Sequence, residues 1–105
     1  MILIYVPCKD KDEAKKIAKE LLQEKLVACA NIIPEIISIY NWENNVEETN
    51  ETVLLLKTNF ENFQEIEIKV KKLHSYSIPC IMKIEKIDFN PEYKNWLMDQ
   101  LKPEI

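Results

Sequence analysis

The chain has 105 residues, 47% of them hydrophobic, and sets 18 acidic against 14 basic side chains for a formal net charge of −4. That describes one domain with apolar content for a single core, and neither a disordered chain nor a basic nucleic-acid scaffold. Every basic residue is a lysine and there is no glycine, which excludes arginine clamps on phosphate and also the P-loop and the dinucleotide-binding turn, where backbone must approach phosphate through glycine.

Ile2–Val6 is short, β-branched and aromatic, and reads as a strand that stops at Pro7. Over residues 10–25, Ala14, Ile17, Ala18, Leu21 and Leu22 recur at helical offsets, with lysines and glutamates on the other side. That spacing predicts an amphipathic helix, with Asp10 or Asp12 as its cap. Ala28–Ile33 and Ile36–Glu43 are extended runs around Pro34, which marks a bend or bulge. Asn44-Asn45 is the expected hairpin turn, because asparagine tolerates positive φ and no glycine is at hand. Val46–Thr58 is the return strand.

Phe63, Ile66, Val70 and Leu73 mark a second helix over residues 60–73. Cys80–Ile87 is predicted as a fourth strand. Asn90-Pro91 pairs an N-cap with a proline at the first helical position, opening a last short helix that carries Tyr93, Trp96, Leu97 and Leu101. The order strand, helix, strand, strand, helix, strand, helix is an α+β, ferredoxin-like split βαβ domain spanning residues 1–105, with a long hairpin between its second and third strands. The strands are apolar on both faces, Ile2, Ile4 and Val6 against Leu3 and Tyr5. Two-sided strands need two covers, and a chain of this size has little left for the second. A homo-oligomer is therefore expected.

Cys8, Cys29 and Cys80 are odd in number and form no C-x-x-C pair, so neither a zinc finger nor a disulfide framework is expected. The apolar N-terminal run has no basic flank or cleavage site, and no apolar run has the length of a membrane span. A cytoplasmic protein with no membrane or nucleic-acid partner is the expectation.

Five blocks then resemble one family. They are Leu26-Val27-Ala28-Cys29-Ala30-Asn31-Ile32-Ile33-Pro34, Ser38-Ile39-Tyr40-Asn41-Trp42-Glu43, Leu55-Leu56-Lys57-Thr58, Leu73-His74-Ser75-Tyr76-Ser77-Ile78-Pro79, and Asn90-Pro91-Glu92-Tyr93-Lys94-Asn95-Trp96-Leu97. In this order and at this spacing they resemble the CutA family of divalent-cation-tolerance proteins. The resemblance implies a ferredoxin-like subunit in a homotrimer, a link to copper and other divalent ions, and no securely attached reaction. It also implies a trimer like that of the PII nitrogen-regulatory proteins, which bind small ligands between subunits. The chain departs from the family pattern at Asn44, Ser75 and Cys80, where glycine, proline and glutamate are usual, and at Leu73, where a second histidine is frequent.

Carried over from the family, the copper ligands are Cys8 and His74, with Glu43, a neighbouring subunit or water completing the set. A thiolate and an imidazole suit copper or zinc. The structural alternative makes Cys8 a small apolar residue at a strand end and His74 a helix C-terminal cap. Tyr40, Trp42 and Glu43 at the hairpin tip, with Lys57 and Tyr76, are candidates for the wall of an intersubunit cleft. Their structural alternative is packing within the trimer. Lys57, Tyr76 and His74 together would make an anion pocket, which fits a PII-like ligand sensor or an interaction module without a physiological metal. A lone histidine with no paired nucleophile is a weak catalytic signal, so an enzyme is not expected.

Overall fold

The structure, a computed structural model, describes residues 1–103. In chain order it contains β1 (Ile2–Cys8), α1 (Lys11–Gln23), β2 (Cys29–Trp42), β3 (Asn45–Thr58), α2 (Phe63–Leu73), β4 (Met82–Ile84) and α3 (Pro91–Gln100). A short 3₁₀ turn, Phe60–Asn62, leads into α2. The strands form one antiparallel sheet in the order β2-β3-β1-β4. With α1 joining β1 to β2 and α2 joining β3 to β4, this is the split βαβ arrangement that the element order predicts.

Side-chain alternation on β1 explains the core. Ile2, Ile4, Val6 and Cys8 are buried, while Leu3, Tyr5 and Pro7 between them are half-buried. Ile4 pairs with Leu56 and Val6 with Leu54. These residues pack with Ala14, Ile17 and Leu21 of α1 and with Ile66 and Val70 of α2. The opposite face is only partly bare, because α3 covers one end of it. There Leu97 and Leu101 pack with Ala28, Met1, Phe89 and Tyr93.

Local chemistry sets the helix ends. Asp10 is the cap of α1, its Oδ1 accepting the Glu13 N–H at 2.8 Å. At the other end, Lys25 N–H donates to the Leu22 carbonyl and Leu26 N–H to the Leu21 carbonyl. This is a Schellman closure, and it requires a left-handed residue where glycine is usual. Lys25 supplies it at φ 57°. Lys25→Gly is expected to raise stability by about 0.5–1 kcal/mol, since the relief of side-chain crowding exceeds the flexibility gained by the unfolded chain. Urea unfolding with an unchanged m-value checks this.

The hairpin turn lies one residue earlier than expected. Trp42 pairs with Asn45, leaving Glu43 and Asn44 as the two central residues, at φ 50° and 67°. Two positive φ values match the twist of the flanking strands, as a two-residue hairpin turn demands. At Pro34 the pairing shifts register between Ile33 and Ile36, which is the expected bulge. The fourth strand is shorter than predicted, three residues in place of Cys80–Ile87. Only Met82–Ile84 meets β1, and Lys86 at φ 60° ends the extended backbone.

The 14-residue strands β2 and β3 each run about 43 Å. The 13 residues of α1 cover only about 20 Å, so among the described residues no helix lies over the distal half of the hairpin. Ile37, Ile39 and Val46 there are 64%, 65% and 74% exposed.

Candidate functional site

Three chain segments converge at the C-terminal end of β1. Cys8 ends that strand, Glu13 lies in the first turn of α1, and His74 follows the last residue of α2. A ligand atom from each lies within 4.8 Å of the other two, and all three residues are buried. Sequence reasoning anticipated Cys8 and His74 and missed Glu13. The available signal was its place three residues after the capping aspartate, where a carboxylate reaches back to the chain before the helix.

The hydrogen bonds show what each group does. Glu13 Oε1 accepts the Lys9 N–H at 3.0 Å and Oε2 accepts the Ser75 N–H at 2.9 Å. Burial pushes its carboxyl upward, but the bonds from Ser75 and Lys9 outweigh this and hold it below the usual carboxylate range. His74 Nε2 lies 2.8 Å from the Pro7 carbonyl. A carbonyl only accepts, so Nε2 carries the proton. Nδ1 accepts the Tyr76 N–H at 3.1 Å. The imidazole is thus a neutral tautomer with both nitrogens engaged. The Cys8 thiol donates to the Val6 carbonyl, with sulfur and oxygen 3.6 Å apart. Burial, then the charges of Glu13, Glu51 and Asp10, push that thiol up to about 12.

This donor set does not fit a cation as it is folded. A metal ligand needs a free lone pair, whereas here the thiol donates to the Val6 carbonyl and both ring nitrogens are engaged, by the Pro7 carbonyl and the Tyr76 N–H. No buried side-chain polar atom among the described residues lacks a partner. The group ties the end of β1, the start of α1 and the segment after α2 together. Glu43, expected as a further ligand, is instead an exposed turn residue at the far tip of the hairpin.

A second site lies beside this one. His74 packs on Tyr76, ring centroids 4.7 Å apart, and the Tyr76 hydroxyl donates to Glu51 Oε2 at 2.7 Å. Burial and that bond push the Tyr76 phenol upward, so it stays neutral. Tyr76 and Glu51 form part of the lining of a cleft of about 570 Å³, whose walls also include Tyr40, Trp42, Glu47 and Cys80. The structure therefore brings together Tyr40, Trp42 and Tyr76 of the expected cleft. It does not bring Lys57 to them. Lys57 donates to the Tyr93 hydroxyl at 3.2 Å and lies 5.0 Å from that ring's centroid, under α3. It is six residues from Glu51 along β3, about 20 Å, so the anion pocket of Lys57, Tyr76 and His74 is not formed.

With this geometry in view, likeness to known proteins is informative. The sequence profile of the CutA1 divalent ion tolerance protein family matches residues 2–100. The chain belongs to the CutA1 family. It is 38% identical over 102 residues to the divalent-cation tolerance protein CutA of Pyrococcus horikoshii, covering 97% of this chain and 99% of that one. It is 40% identical over 99 residues to CutA of Thermus thermophilus, covering 94% of each. The solved structure of CutA1 from Pyrococcus horikoshii superposes with a TM-score of 0.92 at 37% identity, covering 98% of this chain and 100% of that one. A periplasmic divalent cation tolerance protein CutA from Archaeoglobus fulgidus gives 0.92 at 37% identity, covering 97% and 100%. Among the described residues no helix of this CutA1 chain is long and apolar enough to cross a membrane.

Proposed function

We propose that this CutA1 chain acts in divalent-cation tolerance as a homotrimer that binds a small ligand in the Tyr40–Trp42–Tyr76 cleft, and that it does so without catalysis. The observation that carries this reading is the cleft itself, an aromatic-walled cavity of about 570 Å³ with two carboxylates in its lining. Such concave, mostly apolar sites with a few placed polar groups are where small molecules bind. Self-association is supported by the uncovered apolar stripe of Ile37, Ile39 and Val46 and by the unpaired outer edges of β2 and β4. A non-enzymatic role is supported by the Cys8 thiol, which is buried and held protonated and so is no nucleophile at neutral pH. Three free thiols support a reducing, cytoplasmic setting.

A second reading has copper bound by Cys8 and His74. It is favoured by one observation, the convergence of thiol, carboxylate and imidazole within 4.8 Å. It requires His74 to give up the Tyr76 N–H or the Pro7 carbonyl, and Cys8 to lose its proton.

Native mass spectrometry of the reduced protein, alone and with equimolar Cu(I), Cu(II) or Zn(II), separates the two. The expected result is a trimer with no stoichiometric metal. About one copper per subunit, lost in Cys8→Ser, would establish the second reading. The same instrument tests assembly. Ile39→Asp is expected to shift the trimer to monomer, since an unpaired charge in an apolar interface costs several kcal/mol. A trimer undisturbed by this change would place the interface elsewhere.

A further inference from the structure

We propose that the cleft beside Tyr76 takes an organic ammonium cation. This rests on the ligand-cleft reading above and names the ligand class.

The lining carries the argument. Tyr40 and Trp42 are two residues apart on β2, so they share one face of the hairpin. Tyr40 lies directly opposite Glu47 of β3, and the Tyr76 hydroxyl holds Glu51. Each carboxylate of the cleft therefore has an aromatic side chain as its immediate neighbour. Among the described residues no lysine or histidine lines the cleft, so none of them compensates the two negative charges there. Tyr76, held neutral, occupies one oxygen of Glu51 without cancelling its charge. Ring faces carry negative quadrupole potential and attract ammonium groups, and carboxylates beside them supply the opposite full charge.

The same lining disfavours the other ligand classes. A phosphate or carboxylate would meet two anions and no cation. A single metal ion is poorly served, because Glu47 and Glu51 are four residues apart on β3, about 13 Å between their backbones. Among the described residues, the one group of three His, Cys, Asp or Glu ligand atoms lies at Cys8, Glu13 and His74, outside the cleft. An organic cation needs no such convergence. Its charge is spread over a larger body, and an elongated amine can meet both carboxylates.

Trp42 is the built-in reporter. The chain has two tryptophans, so Trp96→Phe, a change on α3 outside the cleft, leaves Trp42 alone. Its emission is titrated with tetramethylammonium and with spermidine, each against sodium chloride at matched ionic strength, then with inorganic phosphate and with Zn(II). Quenching by acrylamide, which is neutral and not repelled by the cleft carboxylates, reports in the trimer whether Trp42 is open to solvent. The expected result is a saturable response to the ammonium probes and none to phosphate. Glu51→Gln, which keeps an acceptor for the Tyr76 hydroxyl, is expected to weaken that response about fivefold or more. Circular dichroism shows whether the variant is folded. A saturable response to phosphate or zinc in place of ammonium overturns the cation assignment and leaves the ligand cleft standing. Trp42 open to acrylamide yet silent to both ammonium probes also overturns the assignment. Trp42 shielded from acrylamide in the trimer and silent to every probe means that a neighbouring copy fills the cleft, and overturns both.

Discussion

Glu13→Ala is expected to destabilise the fold by about 2–5 kcal/mol, because a hydrogen bond to a charged group contributes ~1.5–3 kcal/mol and this buried carboxylate accepts two, from part-buried N–H groups. Glu13 is only 8% exposed, and its partners Lys9 and Ser75 lie on segments 66 residues apart in the chain. Alanine frees both at once and detaches the segment after α2 from the start of α1. Glu13→Gln is expected to fall between wild type and alanine, since one carboxamide oxygen can replace one of the two acceptors and the NH₂ opposes the other N–H. Thermal unfolding at fixed protomer concentration measures this, because association is linked to stability. In a chain of this length the alanine variant would melt some ~10–30 °C lower. Wild-type stability in the variant would mean that water satisfies these N–H groups.

The same carboxylate gives a pH signature. Its folded pKa lies below the ordinary value, so the unfolded state takes up its proton first as acid is added. The stabilisation is complete above the unfolded pKa, about 4.3, and is lost as pH falls through the folded pKa. Glu13→Gln lacks this component. Its stability is therefore expected to fall less than that of wild type between neutral pH and pH 3, and parallel curves would contradict the assignment.

Leu56→Ala should cost about 2–5 kcal/mol, the range for truncating a fully buried leucine into a cavity. Leu56 is fully buried where β3 meets β1, among the side chains of α1 and α2. Its neighbour Leu55 points to the opposite face, where it is half-buried in the single chain. The pair is a test of assembly as much as of packing. If copies of the chain pack on that second face, Leu55→Ala approaches the cost of Leu56→Ala. If the face is bare, Leu55→Ala costs about 1 kcal/mol, as for a partly exposed side chain. Urea midpoints at two protein concentrations distinguish these cases, since only the assembled protein shows a concentration-dependent midpoint.

Much of the candidate site was legible and part was not. Tyr40, Trp42 and Tyr76 lie in the blocks that carry the family resemblance and were expected to wall an intersubunit cleft; the structure places them in one cleft within a single chain. Lys57 looked equally apt, but its position on β3 carries it under α3 to Tyr93. That follows from where α3 docks, which the short pattern of α3 does not announce. Glu43 was expected at the hairpin tip and lies there, in the turn itself rather than at the strand end, and it does not line the cleft. Strand twist decides that position, and the nearby asparagines alone do not. Cys8 and His74 were expected as ligands from the family resemblance. Whether they are free to ligate depends on Pro7, Glu13 and Tyr76, that is, on contacts made after the fold has closed.

The sequence by itself determined the element order, the irregularity at Pro34, the start of α1 and the identity of the core stripe, because each is written in periods of two or 3.6 residues or in local turn chemistry. It also excluded glycine-dependent phosphate sites. Only the tertiary structure decided that Glu13 joins Cys8 and His74, that the imidazole has no spare nitrogen, that Lys57 is distant from the cleft, and that the cleft is lined by carboxylates and no cations. Those facts depend on side chains up to 67 residues apart in the chain. Hydrogen-bond geometry and burial at such separations arise from packing, and packing has no period to be read in a sequence.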